Sequence, residues 1–345
     1  MLDFKRKLPI PMDVKAEYPI DENALKRKEQ ADKELFAILS GESKKKLLVI
    51  GPCSADREDA VLEYARRLSR LRDEVKDRLH IVLRCYTNKP RTTGEGYIGM
   101  MNQPDPGKKP DPFSGVLAIR HLHTSVLTET GLTTADELLY PADYRYLSDI
   151  LSYVSVGARS TENQEHRFVA SGLDVPVGMK NPTGGSLSVL LNSITAAQAP
   201  HEFIYRGWHV ESGGNPFAHA VLRGGTDNSG VNVPNYGYDT LSAFAEKYLS
   251  SGLKNPAVIV DANHANSGKN YAMQPDICLD VLSSCKKNAA IDSVFKGFMI
   301  ESYLYDGRQD IGTNELPGCS ITDPCLGWEK TEKLINKIAD ILTAG

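Results

Sequence analysis

The chain is poor in several things, and each shortage removes a class of protein. No apolar run approaches the roughly 20 residues that a membrane-spanning helix needs. The opening residues, MLDFKRKLPIPMD, are interrupted by charge and proline and lack the apolar centre of a secretory signal. Six cysteines in 345 residues (Cys53, Cys85, Cys278, Cys285, Cys319 and Cys325) are too few for a disulfide scaffold, and no C-x-x-C pair occurs. A reduced, cytoplasmic compartment is expected. Cationic excess is missing too: 40 Lys and Arg against 44 Asp and Glu leave a formal charge of −4, which excludes a nucleic-acid coat or a membrane-surface protein. Repeats and low-complexity tracts are absent. So is the G-x-G-x-x-G fingerprint that an open dinucleotide-binding sheet carries after its first strand.

What is present is ordinary globular material, 41% apolar and 24% charged, long enough for two domains or for one barrel with additions. Residues 1–45 stand apart. Pro9, Pro11 and Pro19 break the start, and the charged helix that follows offers Leu25, Leu35, Phe36 and Leu39, too few for its own core. This reads as an arm packed on its own domain or on a neighbouring subunit, with residues 46–345 forming the main body. From Lys46 onward, β-rich runs alternate with amphipathic helices. Arg57–Val75 places Val61, Tyr64, Ala65, Leu68, Leu71 and Val75 on one stripe. Further stripes centre on Leu190, Phe244 and Ile338; Gly252 reads as a helix end, and Cys278 and Cys285, two turns apart, read as core.

Eight candidate strands lie between the helices: Leu47–Cys53, Ile81–Tyr86, Thr133–Leu138, Val154–Arg159, Val175–Lys180, Ala220–Gly225, Ala257–His264 and Phe295–Ser302. Apolar strands each followed by a helix favour parallel βα units, and eight of them make an α/β fold of the (β/α)8 TIM-barrel type. Residues 201–219 are extra and read as a hairpin inserted before the sixth strand, laid over the barrel mouth.

Each strand ends in a residue able to do chemistry: Cys53, Arg84, Glu137, Arg159, Lys180, Arg223, His264 and Glu301. Barrels keep their active sites at that face. The cations Arg84, Lys89, Arg91, Arg159, Lys180 and Arg223 suit a ligand with two anionic groups; the alternative is a salt-bridge network to Glu137, Glu162 and Glu165. A thiol, an imidazole and two carboxylates at Cys53, His264, Glu301 and Asp323 suit Zn, Fe, Mn or Co; the alternative is a small buried Cys and a core His. The histidines His121, His123, His166, His201, His209 and His219 read as surface or hairpin residues. Lys180, closing an apolar strand near arginines that would lower its pKa, keeps a Schiff-base aldolase open.

The runs IGPCS (50–54), LRCYTNKPRTT (83–93), GARSTENQEHR (157–167), PVGMKNPTGG (176–185), LRGG (222–225), DANHANSGK (261–269) and SITDPCLGWE (320–329) resemble the microbial type I 3-deoxy-D-arabino-heptulosonate 7-phosphate (DAHP) synthases, in order and over nearly the whole chain. The resemblance implies a (β/α)8 barrel with an N-terminal extension, forming a homodimer or homotetramer. It implies condensation of phosphoenolpyruvate with erythrose 4-phosphate, releasing phosphate, at the start of the shikimate pathway. It further implies one divalent metal ion (Mn, Fe, Co or Zn) on Cys53, His264, Glu301 and Asp323. Phosphoenolpyruvate would lie against Arg84, Lys89, Glu137, Ala158, Arg159, Lys180 and Arg223. Erythrose 4-phosphate would lie against Lys89, Pro90, Arg91, Thr92 and Asp323. Lys89 is the first candidate to protonate the new hydroxyl, with His264 and a metal-bound water as alternatives; Cys53 completes the catalytic set.

The chain departs from the family in three places. GEGYIGMMNQPDPGKKPD replaces the usual V-G-W-K-G-type loop after KPRTT, at the sugar-phosphate end. ADELLYPADYRY (135–146) replaces A-G-E-F-L-D…T-P-Q-Y, and the inserted hairpin lacks T-K-x-G, so that only Ser171 is kept of a pocket that relatives use for feedback. Ordinary inhibition by Phe or Tyr is not expected. A paralogue using another aldose phosphate, and a non-catalytic barrel, are the competing readings.

Overall fold

The computed structural model describes residues 1–91, 93–312 and 316–343. Eight parallel strands close into a barrel: β1 (Lys46–Gly51), β2 (Leu79–Arg84), β3 (Thr134–Glu137), β4 (Leu151–Val156), β5 (Val177–Lys180), β8 (Ala218–Leu222), β11 (Val258–Asp261) and β12 (Phe295–Glu301). The hairpin β6 (His201–Tyr205) and β7 (Trp208–Ser212) and the short pair β9 (Gly225–Thr226) and β10 (Asn232–Val233) lie outside it. The helices are α1 (Pro11–Glu17), α2 (Glu22–Ser40), α3 (Glu58–Val75), α4 (Pro112–Thr130), α5 (Gln164–Ser171), α6 (Leu187–Gln198), α7 (Tyr238–Leu249), α8 (Gln274–Lys287), α9 (Ala289–Val294) and α10 (Trp328–Thr343). The barrel strands are buried almost throughout because both faces are covered. Outward residues such as Leu48, Ile50, Leu83 and Val260 pack on helix stripes like Val61, Leu68 and Ile335.

The interior of the barrel is a second cluster. Leu47, Val49, Val82, Tyr153, Val221, Ile259 and Met299 point inward and meet Leu35, Ile38 and Leu39 of α2. The charged helix is therefore the plug that closes the N-terminal end of its own barrel. Its Asp21 side chain caps the first turn by accepting from the Ala24 N–H at 2.9 Å, and Gly41, with φ +87°, ends it.

Three expectations change. The β3–β4 connection carries no α-helix; a 3-10 segment, Pro141–Tyr146, spans it. The N-terminal α1 packs beside it, and Tyr146 Oη donates to Pro9 O at 2.9 Å. The β6–β7 hairpin is inserted before the sixth barrel strand but not over the mouth. It lies along the flank, where Phe168 of α5 packs on His201 and Phe203 and Ser171 Oγ is 2.6 Å from Ser212 Oγ. Its turn residues Arg206 and Gly207 both have positive φ, as a tight hairpin requires. Finally, α7 ends at Leu249, so Gly252, with φ +74°, serves the turn after it. Cys278 and Cys285 are buried on α8 as expected.

Candidate active site

Parallel strands bring all eight chemistry-bearing positions to the C-terminal mouth. Arg84, Glu137, Lys180 and Glu301 are the last residues of β2, β3, β5 and β12, while Cys53, Arg159, Arg223 and His264 follow β1, β4, β8 and β11 within three residues. All but the buried Glu301 line a cavity of about 280 Å³, together with Lys89, Pro90, Arg91, Ala158 and Asp323. Thr92 lies outside the described residues. Two glycines make the wall possible. A Cβ at Gly157 would overlap the Glu137 carboxylate, and one at Gly224 (φ +74°) would meet the backbone at Ala265 and Asn266 at 2.7 Å.

On the floor, Cys53 Sγ, a Glu301 oxygen and an Asp323 oxygen lie within 4.8 Å of one another. His264 stands at the edge of this triangle, its Nε2 3.7 Å from Glu301 Oε1. Its Nδ1 is 2.8 Å from Asp261 Oδ2, which leaves Nε2 as the ring nitrogen facing the site. The backbone of His264 is left-handed (φ +49°), and Asn266 pins the turn by donating to Asp261 O (2.8 Å) and Leu222 O (3.1 Å). The set fits a divalent cation by its chemistry: one thiol, one imidazole and two carboxylates. The Glu301 Oε1 that faces the imidazole is buried and ion-paired with the Arg84 guanidinium at 2.9 Å, which keeps it the anionic oxygen a cation needs.

The cations pair with carboxylates other than those expected. Arg84 Nη2 is 2.9 Å from Glu301 Oε1 and Nη1 donates to Pro52 O. Lys89 Nζ donates to Cys53 Sγ at 2.9 Å and to Asp323 Oδ2 at 3.0 Å. Lys180 Nζ is 3.5 Å from Asp261 Oδ2. Burial works to raise the Glu301 and Asp323 carboxyls, but Arg84 beside the first and Lys89 and Lys269 beside the second hold both below the ordinary range. Burial works against the charge of Lys89, and the Cys53 sulfur and Asp323 outweigh it. The same holds at Lys180, where Tyr86 and Asp261 outweigh burial and the repulsion of Arg84. Its pKa goes up, against expectation.

Several contributors escaped the sequence reading. Tyr86, Asn88, Thr93, Glu95, Thr183 and Lys269 line the cavity, and Lys269 Nζ donates to Asp323 Oδ1 at 3.0 Å. All of these but Glu95 sit inside the family-like motifs, so those runs were the available signal. Three histidines expected at the surface or in the hairpin are buried: His123 beside Thr134, His166 with Nε2 3.0 Å from Leu139 O, and His219 on Tyr153 Oη at 2.8 Å. Each satisfies a neighbouring polar group of the core.

Residues 17–336 match the DAHP synthetase I family. The chain belongs to this family. Phospho-2-dehydro-3-deoxyheptonate aldolase, Phe-sensitive, of Escherichia coli (strain K12) is 39% identical over 350 residues, covering 99% of this chain and 96% of that protein. Phospho-2-dehydro-3-deoxyheptonate aldolase of Haemophilus influenzae is 38% identical over 97% of this chain and 91% of its own length. The fold of the family member solved from Francisella tularensis SCHU S4, also a phospho-2-dehydro-3-deoxyheptonate aldolase, superposes with a TM-score of 0.92 at 28% identity, covering 99% of each chain.

Proposed function

We propose that the chain is a DAHP synthase: phosphoenolpyruvate, D-erythrose 4-phosphate and water give 3-deoxy-D-arabino-heptulosonate 7-phosphate and phosphate, the first step of the shikimate pathway. One observation carries this reading: in a member of this family, a cation-lined cavity and a thiol–imidazole–carboxylate cluster share one barrel mouth. Cys53, His264, Glu301 and Asp323 would hold a divalent metal, whose contribution when bound would be Lewis-acid polarisation of the aldehyde oxygen.

The remaining chemistry belongs to the chain. Arg84, Arg159, Lys180 and Arg223, with Ala158, cradle the phosphate and carboxylate of phosphoenolpyruvate, while Glu137 holds the wall behind them. Pro90, Arg91 and Thr92 serve the sugar phosphate. Holding two anions together puts C3 of phosphoenolpyruvate in reach of the aldehyde carbon, where the C–C bond forms. Water adds at C2, and phosphate leaves as its C2–O bond breaks. Lys89, held charged, gives the proton to the new hydroxyl oxygen, with His264 as the alternative donor.

Residues 1–45 are an extension of the barrel formed by 46–345, and the enzyme works as a homo-oligomer, dimer or tetramer, in the cytoplasm. Among the described residues, no helix is long and apolar enough to cross a membrane. A phosphate-release panel tests the substrate: phosphoenolpyruvate with erythrose 4-phosphate is expected to turn over well above arabinose 5-phosphate or ribose 5-phosphate. Faster turnover of either pentose would make the chain a paralogue with another aldose. Adding Phe or Tyr to the same assay is expected to leave the rate unchanged, because the stretch 135–146 lacks the family pattern.

A further inference from the structure

Tyr86 is buried, and two cations meet its ring. The Arg84 guanidinium carbon lies 3.8 Å from the ring centroid and Lys180 Nζ lies 5.5 Å from it. The ring borders the cavity, and its hydroxyl, donating to Ser155 Oγ at 2.7 Å, fixes its plane. We infer that Tyr86 is a positioning residue: one aromatic ring, shared by Arg84 and Lys180, holds both cations at the phosphoenolpyruvate wall. This rests on the reading that these cations face phosphoenolpyruvate.

The physical reason is charge economy. Arg84 and Lys180 repel each other, and each already faces one carboxylate, Glu301 and Asp261. A further carboxylate between them would hold them, but it would also cancel the positive potential that attracts a phosphate and a carboxylate. The electron-rich face of an aromatic ring attracts cations without carrying a formal charge, so the potential of the wall survives. The dry surroundings strengthen both contacts.

Steady-state kinetics on the metal-loaded enzyme test this. Tyr86→Leu is expected to raise KM for phosphoenolpyruvate on the order of tenfold, with KM for erythrose 4-phosphate within about twofold. Tyr86→Phe, which keeps the ring and loses the Ser155 bond, is expected to stay within about twofold of wild type. Tyr248→Leu removes another buried tyrosine, on α7 and away from the cavity, and is expected to lower Tm while leaving that KM unchanged. If Tyr86→Leu fails to fold, trifluorophenylalanine at position 86 keeps the shape and weakens the quadrupole, and is expected to raise the same KM at unchanged Tm. The inference falls if Tyr86→Leu keeps the wild-type KM, if Tyr86→Phe is equally impaired, or if Tyr248→Leu shifts KM alike. A wild-type enzyme that releases no phosphate from the two substrates would instead sink the functional reading itself.

Discussion

Cys53 is 1% exposed, and its thiol is pushed above the ordinary range by burial and by the negative charge of Glu301, with Lys89 opposing. A sulfur so placed packs as a small core atom and also faces the cation cluster, so substitution separates the two roles. Cys53→Ala is expected to keep the native circular dichroism spectrum, while activity falls at least about a hundredfold and metal retention after gel filtration drops. Retained activity with metal bound would remove Cys53 from the ligand set. At this scale the sequence was informative where a motif named the residue. It was silent where function depends on which neighbour a side chain faces: the i, i+3 spacing of Asp261 and His264 does not say that Asp261 also meets Lys180, and nothing local marks Arg84 as the partner of Glu301. Such pairs join strands far apart in the chain.

The alternation of strands and helices was legible because fully buried strands and one-sided helices have different periods. Tertiary partners were not. The charged helix α2 was visible from its charges and its few apolar positions, yet nothing local says that its last turn plugs the barrel. Ile38 went unnoticed among the apolar positions, although it is fully buried in the interior cluster. Ile38→Ala is expected to cost about 2–5 kcal/mol in urea unfolding. Leu25→Ala on the same helix, exposed, is expected to stay within about 0.5 kcal/mol. Equal losses would mean that the helix is held by something other than the barrel interior. The hairpin shows the same limit: its strands and turn were readable, but its place on the flank is set by Phe168 and Ser171, residues of another element.

For the molecule as a whole, a net charge of −4 is compatible with a site for two phosphorylated substrates because the cations are gathered at one mouth. Stability carries its own pH signature through Asp56, buried between Tyr303, Arg57, Tyr97 and Cys319. Burial pushes its carboxyl up from 3.8 to about 6, against the hydrogen bonds from Tyr303 and the backbone. The folded state therefore binds that proton more tightly than the unfolded chain, and the stability it lends is present below about pH 4 and lost as pH rises to about 6. Two units correspond to about 3 kcal/mol at most. Asp56→Asn is expected to raise the urea midpoint at pH 7.5 and to leave it nearly unchanged at pH 4; the reverse pattern would contradict the assignment. The central claim is that one mouth joins two phosphorylated substrates with the help of a bound divalent metal. Phosphate release from phosphoenolpyruvate and erythrose 4-phosphate, measured after EDTA stripping and again after adding Mn²⁺, tests it most directly. The account predicts loss of release on stripping and recovery on addition, and undiminished release from the stripped protein would contradict it.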